Sequence, residues 1–496
     1  MAQHWGFDGR RCTDGLGCLL LGAALTGCGS SGSGAPSTPA APATQDAPAR
    51  QDIPGAQDVS VTPRTPDPEP VATEQCEHEL QFVSLGSLPD VESNFGVLPR
   101  SGPNWQALDR SSRRLLWSID QGGGREKSSF RWTKEHGVSE LARDALDAMW
   151  DPPEQVPYLQ VTLSSSDGRV GVGVVGSDAG FRWSDAGEVS RLDLAPQAIS
   201  RDGTVIGGTK GVQMARWTLA GGVEALGVPA GRPVLMSDAG DVLVSNEDKG
   251  SCHRWSVSGG DQQLGLLPGA TQCGALLMNA TGDVVVGVQQ APPSDRTRVF
   301  RWTLLRGMEE LEFGNGAVVS AWPYAMSADG SVIAAQVSAL DGIQLPFERW
   351  TASNGAREIE PETLLFPSFV SPFGDVVMGS IANSVIKEVG EFGYMESFRW
   401  TEAGGVERLG VHHQGLALGG KLLVGLGLDG PEILRFGDLG SGSRLIDLLP
   451  PDIVPEGWSE PQLGGISEDG GLLVGSALDP SGQRQLWLQH LSCPEP

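Results

Sequence analysis

Aspartates in recurring Asp-Gly turns are the residues whose type and spacing come nearest to a metal site in this sequence. Asp167, Asp202, Asp329 and Asp469 each precede a glycine and lie close to a serine. A calcium ion takes roughly six to eight oxygen ligands at once. These turns are far apart in the chain and each supplies one carboxylate. We therefore interpret the aspartates as turn formers and expect no bound metal.

Motifs for common catalytic chemistry are missing from the sequence. It contains no GxxxxGK[ST] phosphate loop, no HExxH zinc motif and no G-x-S-x-G nucleophile turn. The adjacent histidines His412 and His413 would point to opposite faces of a strand, so they form a poor chelate, and we place them on a surface loop. We predict no catalytic residue and no cofactor. Carboxylates from separate repeats could still meet at the centre of a repeat fold, which keeps an enzyme as an alternative.

The N-terminus has the features of an export signal. Two arginines precede an apolar segment, residues 16–25, that is too short to span a bilayer as a helix. The sequence Leu-Thr-Gly-Cys that ends at Cys28 resembles the lipobox of bacterial lipoproteins. That resemblance implies cleavage after residues 1–27 and a lipid on the Cys28 thiol. An ordinary secretory signal that happens to contain a cysteine is the alternative.

The segment after the signal differs sharply in composition from the rest of the chain. Residues 28–75 are rich in Pro, Ala, Ser and Gly and have few large apolar side chains. Such a segment cannot bury enough surface to offset the entropy lost on ordering. We predict a disordered tether that begins at the lipidated cysteine. Gly29, directly after that cysteine, favours the outer membrane as the destination, at its periplasmic or cell-surface face.

The overall charge argues against one class of partner. The chain has 61 Asp+Glu against 35 Lys+Arg, a formal net charge of -26. A polyanionic surface repels phosphate backbones, so we expect no nucleic-acid partner.

One short motif recurs through residues 76–496. It consists of a variable, often aromatic residue followed by Arg, Trp and Thr or Ser, and the mean spacing between copies is roughly 44 residues. We predict that the tryptophans fill the layers between neighbouring sheets, while each arginine needs a carbonyl or acidic partner. Including a degenerate last copy, these core tryptophans are Trp132, Trp183, Trp217, Trp255, Trp302, Trp350, Trp400 and Trp487.

Two further sequence elements recur with the same spacing as the tetrad. An S-x-D-G turn and a short aliphatic run precede it, and a Gly-Gly-Val-x-x-Leu-Gly segment often follows. Asp-Gly turns and short β-branched runs predict strands joined by hairpins. Each unit therefore predicts a four-stranded sheet in which the Arg-Trp tetrad forms the third strand.

The three elements together resemble the HAF-type extracellular repeat family of bacterial exported proteins, over about residues 80–492. The resemblance implies a propeller-like fold outside the cytoplasm, in a family that mostly lacks an assigned activity. We expect an all-β protein, a β-propeller of about eight or nine four-stranded blades. Two smaller packed propellers are the alternative.

The repeats begin and end in the middle of a unit. Residues 82–86 resemble a closing Leu-Gly strand, and the chain stops soon after Trp487. We expect the N- and C-terminal strands to pair and complete one shared blade. That pairing would bring Cys76 close to Cys493, and we predict a disulfide there and another between Cys252 and Cys273.

These features favour a membrane-anchored binding or scaffolding module of the cell envelope that acts through its propeller loops. The expected partner, besides the membrane held through the lipid, is an envelope protein or a glycan. Residues 147–159 and 386–396 lengthen particular units and are candidate recognition loops. The alternatives are a glycan-directed hydrolase or lyase with a site in the propeller funnel, and a structural surface protein without a specific ligand.

Overall fold

The computed structural model describes most of the repeat region and leaves the first 82 residues and several loops undescribed. The described residues are 83–84, 104–108, 114–120, 127–133, 137–141, 160–175, 179–231, 233–247, 250–290, 296–314, 319–339, 347–359, 365–386, 394–417, 422–427, 430–436, 444–448, 456–467, 472–482 and 484–490. Within these ranges no helix is long and apolar enough to cross a membrane.

The described part of the chain is built from β-strands joined by turns and loops. In chain order the strands are β1 (Val83–Ser84), β2 (Asn104–Leu108), β3 (Arg114–Asp120), β4 (Lys127–Thr133), β5 (Gly137–Glu140), β6 (Gln160–Ser164), β7 (Val170–Val175), β8 (Ala179–Ser184), β9 (Val189–Leu192), β10 (Ala195–Ile199), β11 (Val205–Lys210), β12 (Gln213–Thr218), β13 (Gly222–Pro229), β14 (Val234–Met236), β15 (Val242–Asn246), β16 (Cys252–Ser256), β17 (Gly260–Gln263), β18 (Gln272–Met278), β19 (Val284–Gln290), β20 (Thr297–Thr303), β21 (Gly307–Leu311), β22 (Val319–Met326), β23 (Val332–Ala339), β24 (Glu348–Thr351), β25 (Gly355–Glu358), β26 (Leu365–Val370), β27 (Val376–Ile386), β28 (Tyr394–Thr401), β29 (Gly405–Arg408), β30 (His412–Ala417), β31 (Leu422–Gly427), β32 (Gly430–Phe436), β33 (Arg444–Leu448), β34 (Ser459–Ile466), β35 (Leu472–Leu478) and β36 (Arg484–His490).

In the described part of the chain these strands form nine four-stranded antiparallel sheets. The first to eighth sheets each take four consecutive strands, beginning with β2–β5 and ending with β30–β33, and the ninth combines β34–β36 with β1. In every sheet the strand of the Arg-Trp tetrad, or of its degenerate copy, is the third of the repeat unit. The predicted all-β propeller class and the order of strands within the unit are confirmed, with nine sheets rather than eight.

The two ends of the described chain share the ninth sheet. Strand β1 pairs antiparallel with β36, so that Val83 lies opposite Leu488 and Ser84 lies opposite Trp487. The first strand of the ninth sheet, β34, also contacts β2, the first strand of the first sheet. The predicted pairing of the N- and C-terminal strands is therefore confirmed at these residues.

The hydrophobic core lies between neighbouring sheets. Second strands are Val- and Ile-rich and buried on both faces, since each lies between two other strands and is covered by the flanking sheets; Val285 and Val286 are examples. Third strands contribute aromatic rings to the same layers. Phe347, just before β24 of the sixth sheet, packs against Phe398 of the seventh with their ring centroids 5.7 Å apart. The repeated unit thus buries its apolar side chains only by stacking on its neighbours.

Candidate functional site

The tetrads form a repeated joint between neighbouring sheets. In six successive sheets, the first to the sixth, the guanidinium of the tetrad arginine lies over the indole of the tryptophan in the following sheet. These arginine-to-tryptophan contacts, measured to the ring centroid, are Arg131–Trp183 at 5.4 Å, Arg182–Trp217 at 5.2 Å, Arg216–Trp255 at 5.9 Å, Arg254–Trp302 at 5.6 Å, Arg301–Trp350 at 5.8 Å and Arg349–Trp400 at 5.1 Å. Each such contact is a cation–π interaction.

Five of these six arginines, all except Arg182, also donate to a backbone carbonyl of the following sheet. Arg254 Nε donates to the Gly282 carbonyl at 2.8 Å, and Arg301 Nε donates to the Gly330 carbonyl at 3.0 Å. Burial lowers the pKa of Arg254, which the nearby carboxylates Asp241 and Asp283 partly offset. In these five joints the arginine therefore has the carbonyl partner that its burial requires, whereas the Nε of Arg182 is buried without a hydrogen-bond partner among the described residues.

Two constraints require glycine at the position whose carbonyl accepts this hydrogen bond. Gly330 has a φ of 68°, a conformation that side chains other than glycine rarely adopt. A Cβ at Gly330 would also stand 2.5 Å from Cγ1 of Val284 in the preceding sheet. The Asp-Gly turn of one sheet thus packs directly on the second strand of the sheet before it.

The aspartates of these turns accept hydrogen bonds from groups of their own turn. Ser327 Oγ donates to Asp329 Oδ1 at 2.7 Å, and the amide of Val332 donates to Ser327 Oγ at 3.0 Å. Although partial burial raises the pKa of Asp329, hydrogen bonds from Ser327 and Ser331 outweigh it and lower that pKa below its ordinary value. Asp167 and Asp202 have the same arrangement, so the interpretation as turn formers is confirmed for them. Asp469 lies outside the described residues.

Successive turns are also joined to one another through their backbones. The amide of Ser166 donates to the Arg201 carbonyl at 2.9 Å, and the amide of Arg201 donates to the Asp238 carbonyl at 2.8 Å. The amide of Asp238 in turn donates to the Ala280 carbonyl at 2.8 Å. We call the edge that carries these turns and the third-to-fourth strand turns the turn edge, and backbone hydrogen bonds join its turns from the second sheet to the fifth.

The opposite edge, which we call the loop edge, carries the second-to-third strand loops and the connections between sheets. A disulfide joins Cys252 at the start of β16 to Cys273 in β18, with their Cα atoms 5.5 Å apart. It links the fourth sheet to the fifth and agrees with the predicted pair. The other predicted pair, Cys76 with Cys493, lies outside the described residues.

Two ionisable side chains near the loop edge occupy the place of the aromatic residue in the tetrad. His253, which is 3% exposed, has Nδ1 3.0 Å from Asp261 Oδ1. Glu348, which is 4% exposed, accepts the amide of Gly314 at 2.9 Å through Oε2. Burial raises the pKa of the Glu348 carboxyl, the hydrogen bond from Gly314 opposes that rise, and Glu358 adds to it. Glu348 thereby fastens the connection between the fifth and sixth sheets.

The paired histidines are not on a surface loop, and that prediction is wrong. His412 and His413 begin strand β30, where they lie opposite Leu426 and Gly425. Only three residues separate β29 from β30, so the histidines fall within the strand rather than in the connection. His413 Nδ1 is 2.7 Å from the buried Ser397 Oγ. Burial, with a smaller effect of His412, lowers the pKa of His413 to about 4.

A cavity of about 580 Å³ lies between the fifth and sixth sheets. Its walls include Glu309, Glu310, Glu312 and the half-buried Trp350. Glu310 is already paired with Arg298, whose Nη1 is 3.0 Å from Glu310 Oε2. Part of the acidic lining is therefore neutralised by the protein itself.

First strands carry a repeated irregularity that sequence reasoning missed. In eight of the nine sheets the pairing of the first strand with the second skips one residue, which forms a β-bulge. The skipped residues are Gln106, Thr162, Gln197, Leu276, Tyr324, Ser368, Gln414 and Gly464. A bulge frees a side chain from the regular alternation of the strand, and the short β-runs of the sequence do not reveal it.

The predicted core tryptophans lie where the repeat places them. Trp183, Trp217, Trp302, Trp400 and Trp487 are buried, whereas Trp255 and Trp350 are half-buried. The backbone of Trp132 lies in β4 and its side chain is outside the described residues.

Other predicted features fall partly or wholly outside the described residues. These include the lipidation residue Cys28, the signal and tether at 1–75, and the candidate loop at 147–159. The second candidate loop is shorter than predicted, because Ile386 ends β27 and pairs with Tyr394 of β28. Among the described residues no group of three or more His, Cys, Asp and Glu side chains is placed to hold a metal ion.

Comparisons with known proteins give similarities to solved structures only. No family model matches the chain, and no curated protein matches it. A eukaryotic initiation factor matches at 9% identity with a TM-score of 0.48, covering 77% of this chain and 94% of that one. Oligogalacturonate lyase from Vibrio parahaemolyticus matches at 11% identity with a TM-score of 0.37, covering 61% of this chain and 93% of the lyase chain. The Dos1 propeller matches at 13% identity with a TM-score of 0.40, covering 67% of this chain and 92% of the Dos1 chain. At these scores the similarities carry no argument about function.

Proposed function

We propose that this protein is a binding or scaffolding module of the bacterial cell envelope that meets its partner through the loop edge. The observation that carries the proposal is a contrast in length between the two edges. The first-to-second strand turn spans five residues in eight of the nine sheets and four in the other. On the loop edge the connections range from two residues, between Lys210 and Gln213, to nineteen, between Glu140 and Gln160. Variable loops on a repeated scaffold are typical of recognition surfaces.

We further propose that a lipid on Cys28 anchors this module to the outer membrane. The lipobox-like sequence before Cys28 and the Pro-, Ala-, Ser- and Gly-rich segment after it support the anchor. The Cys252–Cys273 disulfide is compatible with an oxidising compartment. The resemblance to HAF-type repeats supports the same location.

Partner capture tests the binding function. The lipidated protein is crosslinked in native envelopes and recovered, and its partners are identified by mass spectrometry. A variant with residues 340–346 of the loop edge replaced by a Gly-Ser linker of equal length is compared with wild type. The turn-edge variant Phe373→Ala is the matched control, because Phe373 is 87% exposed on a first-to-second strand turn. We expect wild type to capture a stoichiometric partner. The loop-edge replacement should no longer capture this partner, whereas the control variant should still do so. Absence of an enriched partner, or equal loss in the control, would count against the proposal.

Membrane fractionation tests the anchor separately. We expect Cys28→Ser to leave the membrane fraction and to lose incorporation of labelled palmitate, since the acyl chains supply the membrane affinity. Retention of Cys28→Ser in the membrane fraction would contradict lipid anchoring without affecting the binding proposal.

A further inference from the structure

We infer that the bulged first strands form a binding site for a neutral oligosaccharide, with the ring of Tyr324 as its stacking platform. The inference rests on the proposed binding function and deepens it, because it names a ligand class and places the site on the inner strands. The partner proposed above is instead met by the loop edge.

The first strands are the edge strands of the sheets that approach each other. In the sheet order β22-β23-β24-β25, strand β22 has a hydrogen-bonded neighbour on one side only. On its other side β22 contacts the first strands of both flanking sheets, β18 and β26. The same contact joins other successive first strands, among them β10 with β14. Side chains that leave these edges therefore share one region between the sheets.

Two of the bulged side chains, those of Tyr324 and Ser368, are exposed next to buried residues of the same strand. Tyr324 is 45% exposed, although Pro323 and Ala325 on either side of it are buried. Ser368, at the corresponding position of the next first strand, is also exposed and follows the buried Pro367. The residues on either side of Tyr324 pair with adjacent residues of the second strand, Pro323 with Ala335 and Ala325 with Ala334, so the bulge leaves Tyr324 without a pairing partner in that strand, and Ser368 is left in the same way.

Gln197 shows how far a bulged side chain reaches. Its Oε1 accepts the amide of Val234, which begins the first strand of the next sheet, at 3.2 Å. Its Nε2 donates to Thr209 Oγ1 at 3.4 Å. A side chain at this position can therefore span the gap between two first strands. Within the described residues the hydroxyl of Tyr324 makes no such bond, which leaves it available to a ligand.

The chemistry of the bulged positions is polar and uncharged. Six of the eight are Gln, Thr, Ser or Tyr, whose amides and hydroxyls both donate and accept hydrogen bonds. A sugar ring presents hydroxyls at its rim and C–H groups on its faces. Hydroxyls match amide and hydroxyl partners, and the C–H face matches an aromatic ring such as that of Tyr324, which is apolar in its body and polar at its tip.

Charge in these strands selects a neutral rather than an acidic sugar. The nine first strands contain no Lys or Arg and one acidic residue, Glu460, although 19% of the whole chain is charged. An acidic oligosaccharide would need basic partners to offset the loss of carboxylate hydration. Apart from His412 and His413 at the start of β30, these strands provide none, and the net charge of -26 adds a repulsive field.

Calorimetric titration of the full chain tests the site. The probes are the neutral hexasaccharides cellohexaose, maltohexaose, mannohexaose and N-acetylchitohexaose, with hexagalacturonate as the acidic counterpart. We expect at least one neutral probe to bind, with a dissociation constant unchanged between about 20 and 200 mM salt because no ion pair forms. Hexagalacturonate should bind at least about tenfold more weakly than that probe.

Substitutions then assign the site to the bulge. We expect Tyr324→Ala to raise the dissociation constant of the probe by about tenfold or more, because an aromatic contact is lost. The dissociation constant of Tyr324→Phe should stay within about threefold of the wild-type value. Phe373→Ala, an exposed aromatic of the turn edge, should bind as wild type does. Equal thermal unfolding of the variants shows that each is folded.

The inference is overturned if no neutral probe binds, if Tyr324→Ala binds as wild type does, or if hexagalacturonate binds more tightly. Such a result leaves the proposed function standing whenever the crosslinked envelope partner is still captured by Tyr324→Ala. If loop-edge variants lose both the envelope partner and the oligosaccharide while Tyr324→Ala keeps both, the oligosaccharide binds at the loop edge. That result would overturn this inference and leave the proposed function standing.

Discussion

The guanidinium of Arg254 lies over the indole of Trp302, 5.6 Å from the ring centroid, although the two residues belong to different sheets. The same guanidinium donates to the carbonyl of Gly282, in the turn of the sheet that contains Trp302. One side chain thus satisfies a stacking contact and a hydrogen bond across the same boundary. The same pair of contacts recurs at other boundaries between sheets, where the first-to-second strand turns are nearly equal in length.

Removal of one joint should destabilise the protein. We expect Arg254→Ala to lower the free energy of unfolding by about 2 kcal/mol, because both the cation–π contact and the bond to Gly282 are lost. Arg306→Ala is the control, since that side chain is 72% exposed and should change stability by less than about 0.5 kcal/mol. Urea denaturation measures both. Equal effects of the two substitutions would show that the joint does not contribute.

The disulfide between the fourth and fifth sheets should also contribute measurably. The cysteines are 21 residues apart in sequence. A cross-link over a loop of this size stabilises by about 3 kcal/mol in the chain-entropy model. We expect the Cys252→Ser/Cys273→Ser variant to unfold at lower urea than wild type and to be insensitive to dithiothreitol, which should destabilise the wild type. A wild type that dithiothreitol leaves unchanged would contradict the prediction.

Glu348 should make stability depend on pH. Burial raises the pKa of its carboxyl in the folded state, so the folded protein favours the protonated form. The contribution is therefore largest below the ordinary pKa of glutamate and is lost as pH rises through the raised folded value. Glu348→Gln keeps an acceptor for the amide of Gly314 and does not ionise.

The measurement is the melting temperature from pH 4 to pH 8. We expect the difference between Glu348→Gln and wild type to shift in favour of the variant as pH rises. A constant difference across this range would mean that Glu348 does not titrate differently in the two states. Glu224→Gln, at an exposed position of β13 in the third sheet, serves as a control for the removal of one acidic charge.

His413 predicts a pH dependence of the opposite sign. Its pKa falls from 6.5 to about 4 in the folded protein, because burial disfavours the imidazolium. Stability from this group is therefore complete above pH 6.5 and is lost as pH falls toward 4. We expect His413→Gln to flatten that part of the stability curve, while His412→Gln leaves it nearly unchanged. An identical curve for His413→Gln and wild type would refute this assignment.

The sequence predicts the regular part of this fold well. The Arg-Trp tetrad, the Asp-Gly turn and the glycine turn are local signals of strand and hairpin, and each recurs in phase, so the strand order and third-strand position follow. Ser327 and Asp329 show why: their bonds lie within one turn. The pairing of Cys252 with Cys273 could be proposed because the count and compartment of the cysteines suggested it.

Features that depend on contacts between distant residues could not be predicted in the same way. Glu348 stands where four other units have phenylalanine, but its partner Gly314 lies in the connection between the fifth and sixth sheets and carries no sequence signal. Whether His412 and His413 lie in a strand or in a loop depends on the length of the connection between β29 and β30, and strand boundaries are uncertain by a few residues when they are predicted from sequence. The bulge at Tyr324 depends on strand register, which is set by tertiary packing.

The joint between Arg254 and Trp302 is directional, because a unit with the complete tetrad offers an arginine on one side and a tryptophan on the other. Units related in this way are joined head to tail, and such contacts do not by themselves fix the number of copies. A duplicated unit would find a complementary surface on both of its sides. Copy number in such an array can therefore change by whole units without a new kind of contact, while the loops of each added unit are free to diverge.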